Sequence, residues 1–265
     1  MRRNIFILGI IGITIFVILT IIIIPKRSVT EKVSLKDLLN KADVALSKND
    51  LLEARRLYEK ARDVTDNSFL LDKIKKNIER LNINIIFSPL LDECSIQYAV
   101  KPNDTLIKIA KKFGTTVALI KKANGLKSDI IHPQQKLKVN TCKFSIVIDK
   151  SQNLLFLKQN DRIVKTYVVS TGKNNSTPTG KFKVANKLKK PVWFKAGAVV
   201  LPDSPDNVLG SRWIGLNIKG YGIHGNRNVN DIGKQVTQGC IRMHNKDVEE
   251  LYDIVPLGTE VIIVN

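Results

Sequence analysis

The hydrophobic and polar positions along the chain divide it into four segments. Residues 5–24 are predominantly apolar, with neither a charge nor a proline. Apolar residues then recur at helical spacing through residues 31–83. Short strand and helix patterns alternate over residues 95–140, and from Phe144 onward apolar and polar residues alternate with the period of a β-strand. The pattern therefore predicts a multi-domain protein whose C-terminal half is mainly β.

The apolar block predicts a membrane anchor over residues 1–27. Twenty predominantly apolar residues suffice for a helix to cross about 30 Å of hydrocarbon. A buried core helix would have a polar face, and a cleaved signal peptide would have a shorter apolar core and a small-residue cleavage site. The short N-terminal flank with Arg2 and Arg3 favours a cytoplasmic N-terminus. We therefore expect a single-pass membrane protein whose remaining domains lie on the extracytoplasmic side.

Residues 31–83 are expected to form a helical module. The break at residues 47–50, which contains Asn49 and Asp50, predicts the end of one helix and the cap of the next. The first two helices resemble a single tetratricopeptide-type hairpin, with small and aromatic residues at matching places: Ala42, Ala54, Tyr58 and Ala61. One such unit cannot bury its apolar face alone, so a third helix is expected to cover it, through Phe69, Leu70, Ile74, Ile78 and Leu81. Two roles remain open, a stalk above the membrane and a docking module for a protein partner.

Residues 95–140 are expected to fold as β-α-α-β. The segment resembles a LysM domain through Tyr98-x-Val100, Asp104-Thr105-Leu106, Ile109-Ala110 and Asn124-Gly125-Leu126. Asn103 and Gln134 stand where the family usually has glycine in a turn. The resemblance implies binding to N-acetylglucosamine-containing glycan in peptidoglycan. The candidate glycan-binding residues are Asp104, Thr105, Asn124 and Gly125.

The three cysteines have different contexts. Cys94 and Cys142 flank the LysM segment, and antiparallel pairing of its terminal strands would bring them together. Outside the cytoplasm a disulfide between them is expected. That pairing leaves Cys240 without a disulfide partner. Cys240 is then either a chemically reactive residue or a buried structural one.

Cys240 lies in a sequence context that suits a nucleophile. His224 precedes it by sixteen residues, far enough for the chain to return, and a histidine there would lower the thiol pKa and keep a thiolate. No obvious Asp or Glu follows to orient the imidazole, so a backbone carbonyl is the candidate. The N–H groups of Gly239 and Cys240 are candidate oxyanion donors. Arg242 would hold an anionic group or lock the loop. His244 is expected to be a structural or a surface residue.

The full C-terminal pattern resembles the L,D-transpeptidase (YkuD-type) catalytic domain over residues 143–265. The matching motifs are Ser170-Thr171-Gly172-Lys173, Thr177-Pro178-Thr179-Gly180-Lys181-Phe182, Ile223-His224-Gly225 and Thr237-Gln238-Gly239-Cys240-Ile241-Arg242-Met243. Thr237 replaces the more common Ser, and Gln238 stands at a place that is often His. The resemblance implies a mainly-β sandwich or barrel.

The resemblance also implies residue roles and a reaction. Cys240 would be the nucleophile, His224 its base and the Gly225 carbonyl the orienting acceptor, with substrate and oxyanion support from Thr237, Gly239, Ile241 and Arg242. Attack on a stem tetrapeptide would release D-alanine and pass the acyl group to a neighbouring stem amine, without a metal or organic cofactor. The open alternatives are an L,D-carboxypeptidase, an enzyme that anchors proteins to the wall, and a non-catalytic peptidoglycan-binding tether.

The charge fits an extracytoplasmic wall enzyme. The formal net charge is +19, and the excess is spread along the chain, with 9 basic and 2 acidic residues over 95–140 and 18 and 10 over 143–265. Such a surface suits anionic lipid headgroups or wall polymer. No nucleic-acid motif accompanies it, so a nucleic-acid partner is not expected.

Overall fold

The computed structural model describes residues 34–195, 197–226 and 228–265. The predicted membrane anchor lies outside these residues. Within them, no helix is both long and apolar enough to span a membrane.

Three capped helices begin the described part of the chain: α1 (Leu35–Ser47), α2 (Leu51–Asp63) and α3 (Ser68–Ile86). The side chains of Ser34, Asp50 and Asn67 each accept a hydrogen bond from the N–H three residues later, at 3.1, 3.1 and 2.9 Å. The predicted break at residues 47–50 is therefore confirmed. Phe69, expected on the covering face of the third helix, is instead 82% exposed, because it lies at the start of α3 beyond the packed face.

The second module has the predicted β-α-α-β order: β1 (Ser95–Ala99), α4 (Leu106–Phe113), α5 (Val117–Ala123) and β2 (Lys136–Asn140). β1 and β2 pair antiparallel, with Tyr98 opposite Leu137. Asn103 and Gln134 have φ of 67° and 68°, the left-handed conformation that glycine adopts most easily. Cys94 and Cys142 form a disulfide across the base of this module.

The C-terminal module is built on a mixed sheet. Its strands are β3 (Phe144–Asp149), β4 (Leu154–Gln159), β5 (Arg162–Val168), β6 (Thr171–Gly172), β7 (Gly180–Lys189), β8 (Trp193–Lys195), β9 (Ala198–Val200), β10 (Arg212–Leu216), β11 (Gly222–His224), β12 (Gln235–Thr237), β13 (Ile241–Arg242) and β14 (Glu260–Val264). Among the described strands, eight form one sheet in the order β13-β11-β10-β7-β14-β3-β4-β5. β6 pairs with β12, and β8 pairs with β9. The mainly-β prediction is therefore confirmed.

One helix in this module escaped the sequence analysis. Helix α6 (Asn245–Ile254) buries Val248, Leu251 and Ile254 against the sheet, mainly at β10. Their spacing of three residues is the pattern of an amphipathic helix. The sequence pattern predicts β-structure for this segment as well, because strand periodicity surrounds it on both sides.

The N-terminal helices are packed against the C-terminal module. Ile83 and Ile86 of α3 belong to the same buried cluster as the residues of the large sheet. Asn82 Nδ2 donates to the Val164 carbonyl at 3.0 Å, and the Thr166 N–H donates to the Glu79 carboxylate at 3.0 Å. The helical module is therefore attached to the sheet along α3, in contrast to a freely moving stalk.

The β-α-α-β module is attached in the same way. Leu119 of α5 enters the core cluster of the large sheet. Lys122 forms an ion pair with Asp253 of α6 at 2.7 Å, and the Thr116 hydroxyl donates to the Asp253 carbonyl. Residues 34–265 consequently form one compact unit.

Candidate active site

The pairing of β11 with β13 brings Cys240 and His224 to one face of the sheet. The two strands run parallel, with Ile223 beside Ile241 and His224 beside Arg242. Cys240 directly precedes β13, so it lies beside Gly222, two residues before His224. A strand rise of about 3.3 Å and a strand separation of about 4.8 Å place the two Cα atoms about 8 Å apart, a distance that the two side chains can bridge.

The orientation of the His224 ring is fixed on two sides. Its Nδ1 atom lies 2.7 Å from the Gly225 carbonyl oxygen. Because that oxygen can only accept, Nδ1 carries the proton, and Nε2 of the neutral imidazole keeps its lone pair. The ring stacks on Trp213, with centroids 5.8 Å apart and planes at 20°. The Gly225 carbonyl therefore holds the position that was predicted for it.

Burial favours the neutral forms of both side chains. Burial lowers the pKa of His224 to about 4; the Gly225 and Leu209 carbonyls oppose this shift and the charge of Arg242 adds to it. Burial also raises the pKa of the Cys240 thiol, against smaller lowering effects of the Gly222 N–H and Arg242. The thiol donates to the Gly220 carbonyl at 3.3 Å, as a protonated sulfur does. The predicted thiolate is therefore wrong for the resting site, because the desolvation of the sulfur outweighs the lowering effect of the Arg242 charge.

The turn before Cys240 leaves one backbone donor free. The Gly239 N–H donates to the Thr237 hydroxyl oxygen at 3.1 Å, and that hydroxyl donates to the Cys240 carbonyl at 2.6 Å. Gly239 is consequently not available as an oxyanion donor. The Cys240 N–H has no acceptor within residues 34–195, 197–226 and 228–265. Thr237 therefore closes the turn, and Cys240 supplies the candidate oxyanion donor.

Arg242 locks a neighbouring loop. Its backbone N–H and C=O pair with Ser170 at 3.0 and 2.9 Å. Its guanidinium contacts the Asp231 carboxylate at 3.4 Å, while the Ser170 hydroxyl donates to the Asp231 carbonyl at 2.6 Å. Of the two predicted roles for Arg242, these contacts correspond to loop locking.

Two other residues near the motif lie away from the reacting face. Ile241 is fully buried in the core cluster, because strand alternation turns it to the opposite side from Cys240 and Arg242. The prediction that it supports substrate is therefore wrong for its side chain. His244 is the N-cap residue of α6 and borders a cavity of about 610 Å³ that also reaches Asn226 and Lys190, but neither Cys240 nor His224 lines that cavity.

The candidate glycan-binding residues of the LysM module are engaged inside that module. Asp104 accepts a hydrogen bond from the Tyr98 hydroxyl at 2.7 Å. Thr105 caps α4, and Asn124 joins the end of α5 to β2 through both of its side-chain amide atoms. Gly125 follows with φ of 64°. These residues shape the turns of the module, so their side chains give no geometric support for direct glycan contact.

Several residues of the site were missed by the sequence analysis. Trp213 stacks on His224, and the aromatic ring of Tyr221 packs against Gly239. The Asn245 side chain accepts from the Ser211 N–H at 3.0 Å and lies directly against Gly225. They come from separate strands and from the start of α6, so no local spacing in the sequence connects them to the Cys-His pair.

Two family profiles match the chain. The profile of the L,D-transpeptidase catalytic domain, YkuD, matches residues 143–263, and the LysM domain profile matches residues 98–140. The first range contains both Cys240 and His224. The second corresponds to the β-α-α-β module closed by the disulfide.

Relatives of the chain carry the same name as the first profile. A Bacillus licheniformis protein named L,D-transpeptidase YkuD is 37% identical over 176 residues, which are 63% of this chain and 98% of that protein. The Bacillus subtilis protein named L,D-transpeptidase YqjB is 40% identical over 126 residues, or 45% of this chain and 70% of that one. The crystal structure of L,D-transpeptidase 3 from Mycobacterium tuberculosis is 18% identical, with a TM-score of 0.41 over 50% of this chain and 66% of that one. With a matching catalytic profile and 37% identity across almost the whole Bacillus licheniformis protein, the chain belongs to the YkuD family of L,D-transpeptidases.

Proposed function

We propose that the chain is a peptidoglycan L,D-transpeptidase with Cys240 as its nucleophile and His224 as its general base. The observation that carries the proposal is the pairing of β11 with β13, which puts the thiol and the imidazole on one face. The Gly225 carbonyl keeps the proton on Nδ1, so Nε2 is the ring atom that can accept the thiol proton. The unpaired Cys240 N–H supplies an oxyanion donor.

The reaction proceeds in two transfers. His224 takes the thiol proton as the Cys240 sulfur attacks the carbonyl of the third residue of a stem tetrapeptide. The bond to the terminal D-alanine breaks, His224 protonates the leaving amine, and a thioester remains on Cys240. The side-chain amine of a diamino acid on a neighbouring stem then attacks the thioester. An amide forms between the two stems, and the proton lost by that amine restores the thiol.

The LysM module supports a peptidoglycan substrate for the catalytic module. Its profile match and the basic surface fit a glycan polymer of the wall. Since α5 is joined to α6 through Lys122 and Asp253, bound glycan would be held at a fixed offset from Cys240. We propose N-acetylglucosamine-containing strands as the ligand.

The apolar residues 5–24 support a location at the cytoplasmic membrane. Their length suits one membrane crossing, and the basic residues on both flanks suit its interfaces. We propose that the described modules face the wall outside that membrane. The TPR-like helices α1–α3 would then separate the catalytic module from the bilayer, with docking of a protein partner as their second candidate role.

The reaction is tested by product analysis with purified disaccharide-tetrapeptide. The full-length protein should form dimers that lack one alanine, and Cys240→Ala should form none. His224→Ala should lose at least about 10²-fold in rate, because the general base is removed, whereas His132→Ala, at an exposed LysM histidine, should keep the rate.

Other products would identify the alternatives. Tripeptide without dimer would indicate a carboxypeptidase. Transfer only to an amine on an added wall-anchored protein would indicate a protein-anchoring enzyme. Bound glycan with no turnover in any variant would contradict the enzyme and favour the tether.

A further inference from the structure

The carbonyl of Gly239 is held from behind by a fully buried threonine. The Thr177 hydroxyl lies 2.9 Å from the Gly239 carbonyl oxygen and 2.8 Å from the Gly172 backbone nitrogen. The Gly172 N–H can only donate, so the Thr177 oxygen accepts there. The single hydroxyl proton of Thr177 is therefore given to the Gly239 carbonyl, and the direction of both hydrogen bonds is fixed.

This contact sets the direction of the Cys240 N–H. The peptide between Gly239 and Cys240 is trans, like every peptide in the described residues. In a trans peptide the C=O and N–H bonds point in opposite directions. Since the carbonyl is turned towards Thr177, the Cys240 N–H is turned away from it, and no protein group accepts that proton within the described residues. Gly239 has φ of 123°, a backbone conformation that glycine adopts most easily.

A buried lysine holds the threonine in turn. Lys150 is 3% exposed, and its Nζ atom donates to the Thr177 carbonyl oxygen at 2.7 Å. Gln235 closes the arrangement by donating to the Lys150 carbonyl at 3.1 Å. The proposed reaction gives Lys150 no part in proton transfer, although its ammonium group is removed from water.

We infer that Thr177 is a positioning residue for the oxyanion site, and that Lys150 fixes Thr177 in place. The inference rests on the proposed function, since it assigns to Cys240 a carbonyl attack that needs an oxyanion donor. Without the Thr177 hydroxyl, the Gly239–Cys240 peptide can rotate, and the Cys240 N–H no longer points where the charge develops. Removal of one such donor costs about 10²- to 10³-fold in acyl-transfer rate.

The experiment compares two reactions of the same thiol. Acylation by disaccharide-tetrapeptide creates an oxyanion, whereas alkylation by iodoacetamide forms a carbon–sulfur bond with loss of iodide and creates none. Cys240 is the free cysteine, and the other two are in the disulfide, so alkylation reports on it alone. Both rates are measured on the full-length protein by intact mass.

Thr177→Val should lose about 10²-fold in acylation rate and keep its alkylation rate within about twofold. Thr177→Ser, which restores the hydroxyl, should recover most of the acylation rate. The matched control is Thr259→Val, because Thr259 is also buried and donates its hydroxyl to a backbone carbonyl, that of Pro256, at 2.7 Å. Thr259→Val should lose a similar amount of stability and keep the wild-type acylation rate.

Equal acylation by Thr177→Val and the wild type would overturn the inference, and so would a parallel loss of acylation and alkylation. If Thr177→Val does not fold, Lys150→Met takes its place. This variant should lose about tenfold in acylation rate and keep its alkylation rate. An unchanged acylation rate, or an equal loss of both rates, would overturn the inference. A failure of the proposed function itself is distinguished by the wild-type protein. In that case the wild type would consume tetrapeptide without acylation of Cys240.

Discussion

At the scale of single residues, burial decides how Cys240 and His224 share a proton. The pKa of the thiol is raised and that of the imidazole is lowered, so both are neutral at pH 7. Proton transfer to His224 then has to accompany the attack on the substrate. Before the attack, the nucleophile and the base are therefore both neutral, as in a serine hydrolase, and do not form a thiolate–imidazolium ion pair.

The raised thiol pKa predicts how alkylation of Cys240 depends on pH. The thiolate fraction should increase about tenfold per pH unit through neutrality, and the iodoacetamide rate should follow it, because the thiolate is the reacting form. Mass spectrometry of the alkylated protein measures this rate, with Cys240→Ala as the blank. A rate that is constant between about pH 5 and 7 would instead reveal an ion pair.

The lowered pKa of His224 predicts the acid limb of catalysis. Its folded-state pKa is about 4, so the base is neutral above that pH and becomes protonated below it. kcat/KM should fall as the pH drops through about 4 and show no step near 6.5, the ordinary value for histidine. The profile of dimer formation against pH measures it. A midpoint near 6.5 would show that the imidazole is solvated and would contradict the buried geometry.

At the scale of elements, the turn between β12 and β13 depends on a glycine. Gly239 has φ of 123°, and a Cβ atom there would lie 2.6 Å from Cε1 of Tyr221. The turn therefore needs glycine for both its backbone conformation and the close approach of Tyr221.

Gly239→Ala should reduce the transpeptidation rate by about 10²-fold or more, because it displaces the Cys240 N–H from the developing charge. Gly258→Ala is the control, since Gly258 also has a positive φ, 81°, but open space around its Cβ position. That control should cost about 1–2 kcal/mol of stability and leave the rate unchanged. Equal rates for the two variants would refute the role of the turn.

At the scale of the whole molecule, the helical module and the LysM module each contribute residues to the core of the large sheet. Ile83 of α3 is 7% exposed and belongs to the cluster of the large sheet. Ile83→Ala should lower the free energy of unfolding by about 3 kcal/mol. Phe69→Ala, at an 82% exposed position of the same helix, should change it by less than about 0.5 kcal/mol. Thermal denaturation, monitored through the loss of transpeptidation activity, measures the stability of both variants. An unchanged stability of the catalytic module in Ile83→Ala would mean that α3 is not part of its core.

The disulfide adds a constraint of its own. Cys94 and Cys142 are 48 residues apart, and a closed loop of this length contributes about 4 kcal/mol by the chain-entropy argument. The double variant Cys94→Ser, Cys142→Ser should lower the free energy of unfolding by about that amount and match the reduced wild type. A reductant-insensitive melting temperature in the wild type would count against the bond.

The sequence could predict what depends on periodicity, caps and local motifs. Short segments of the sequence indicate the helix break around Asp50, the β-α-α-β order and the Cys240–His224 pair. The packing of α3 into the sheet, the Trp213 stack and the Thr177 contact join residues that are far apart in the chain, and no local pattern specifies such partners. The thiolate prediction failed for the same reason, because the degree of burial around Cys240 is set by the assembled sheet.

The most direct test of the central claim is to trap the acyl-enzyme. The full-length protein would be mixed with disaccharide-tetrapeptide, quenched in acid within one turnover, and analysed by intact mass and peptide mapping. The account predicts an adduct equal to the substrate less one alanine, located on Cys240 and absent from Cys240→Ala. Consumption of tetrapeptide with no adduct on Cys240, or with the adduct on another residue, would contradict it.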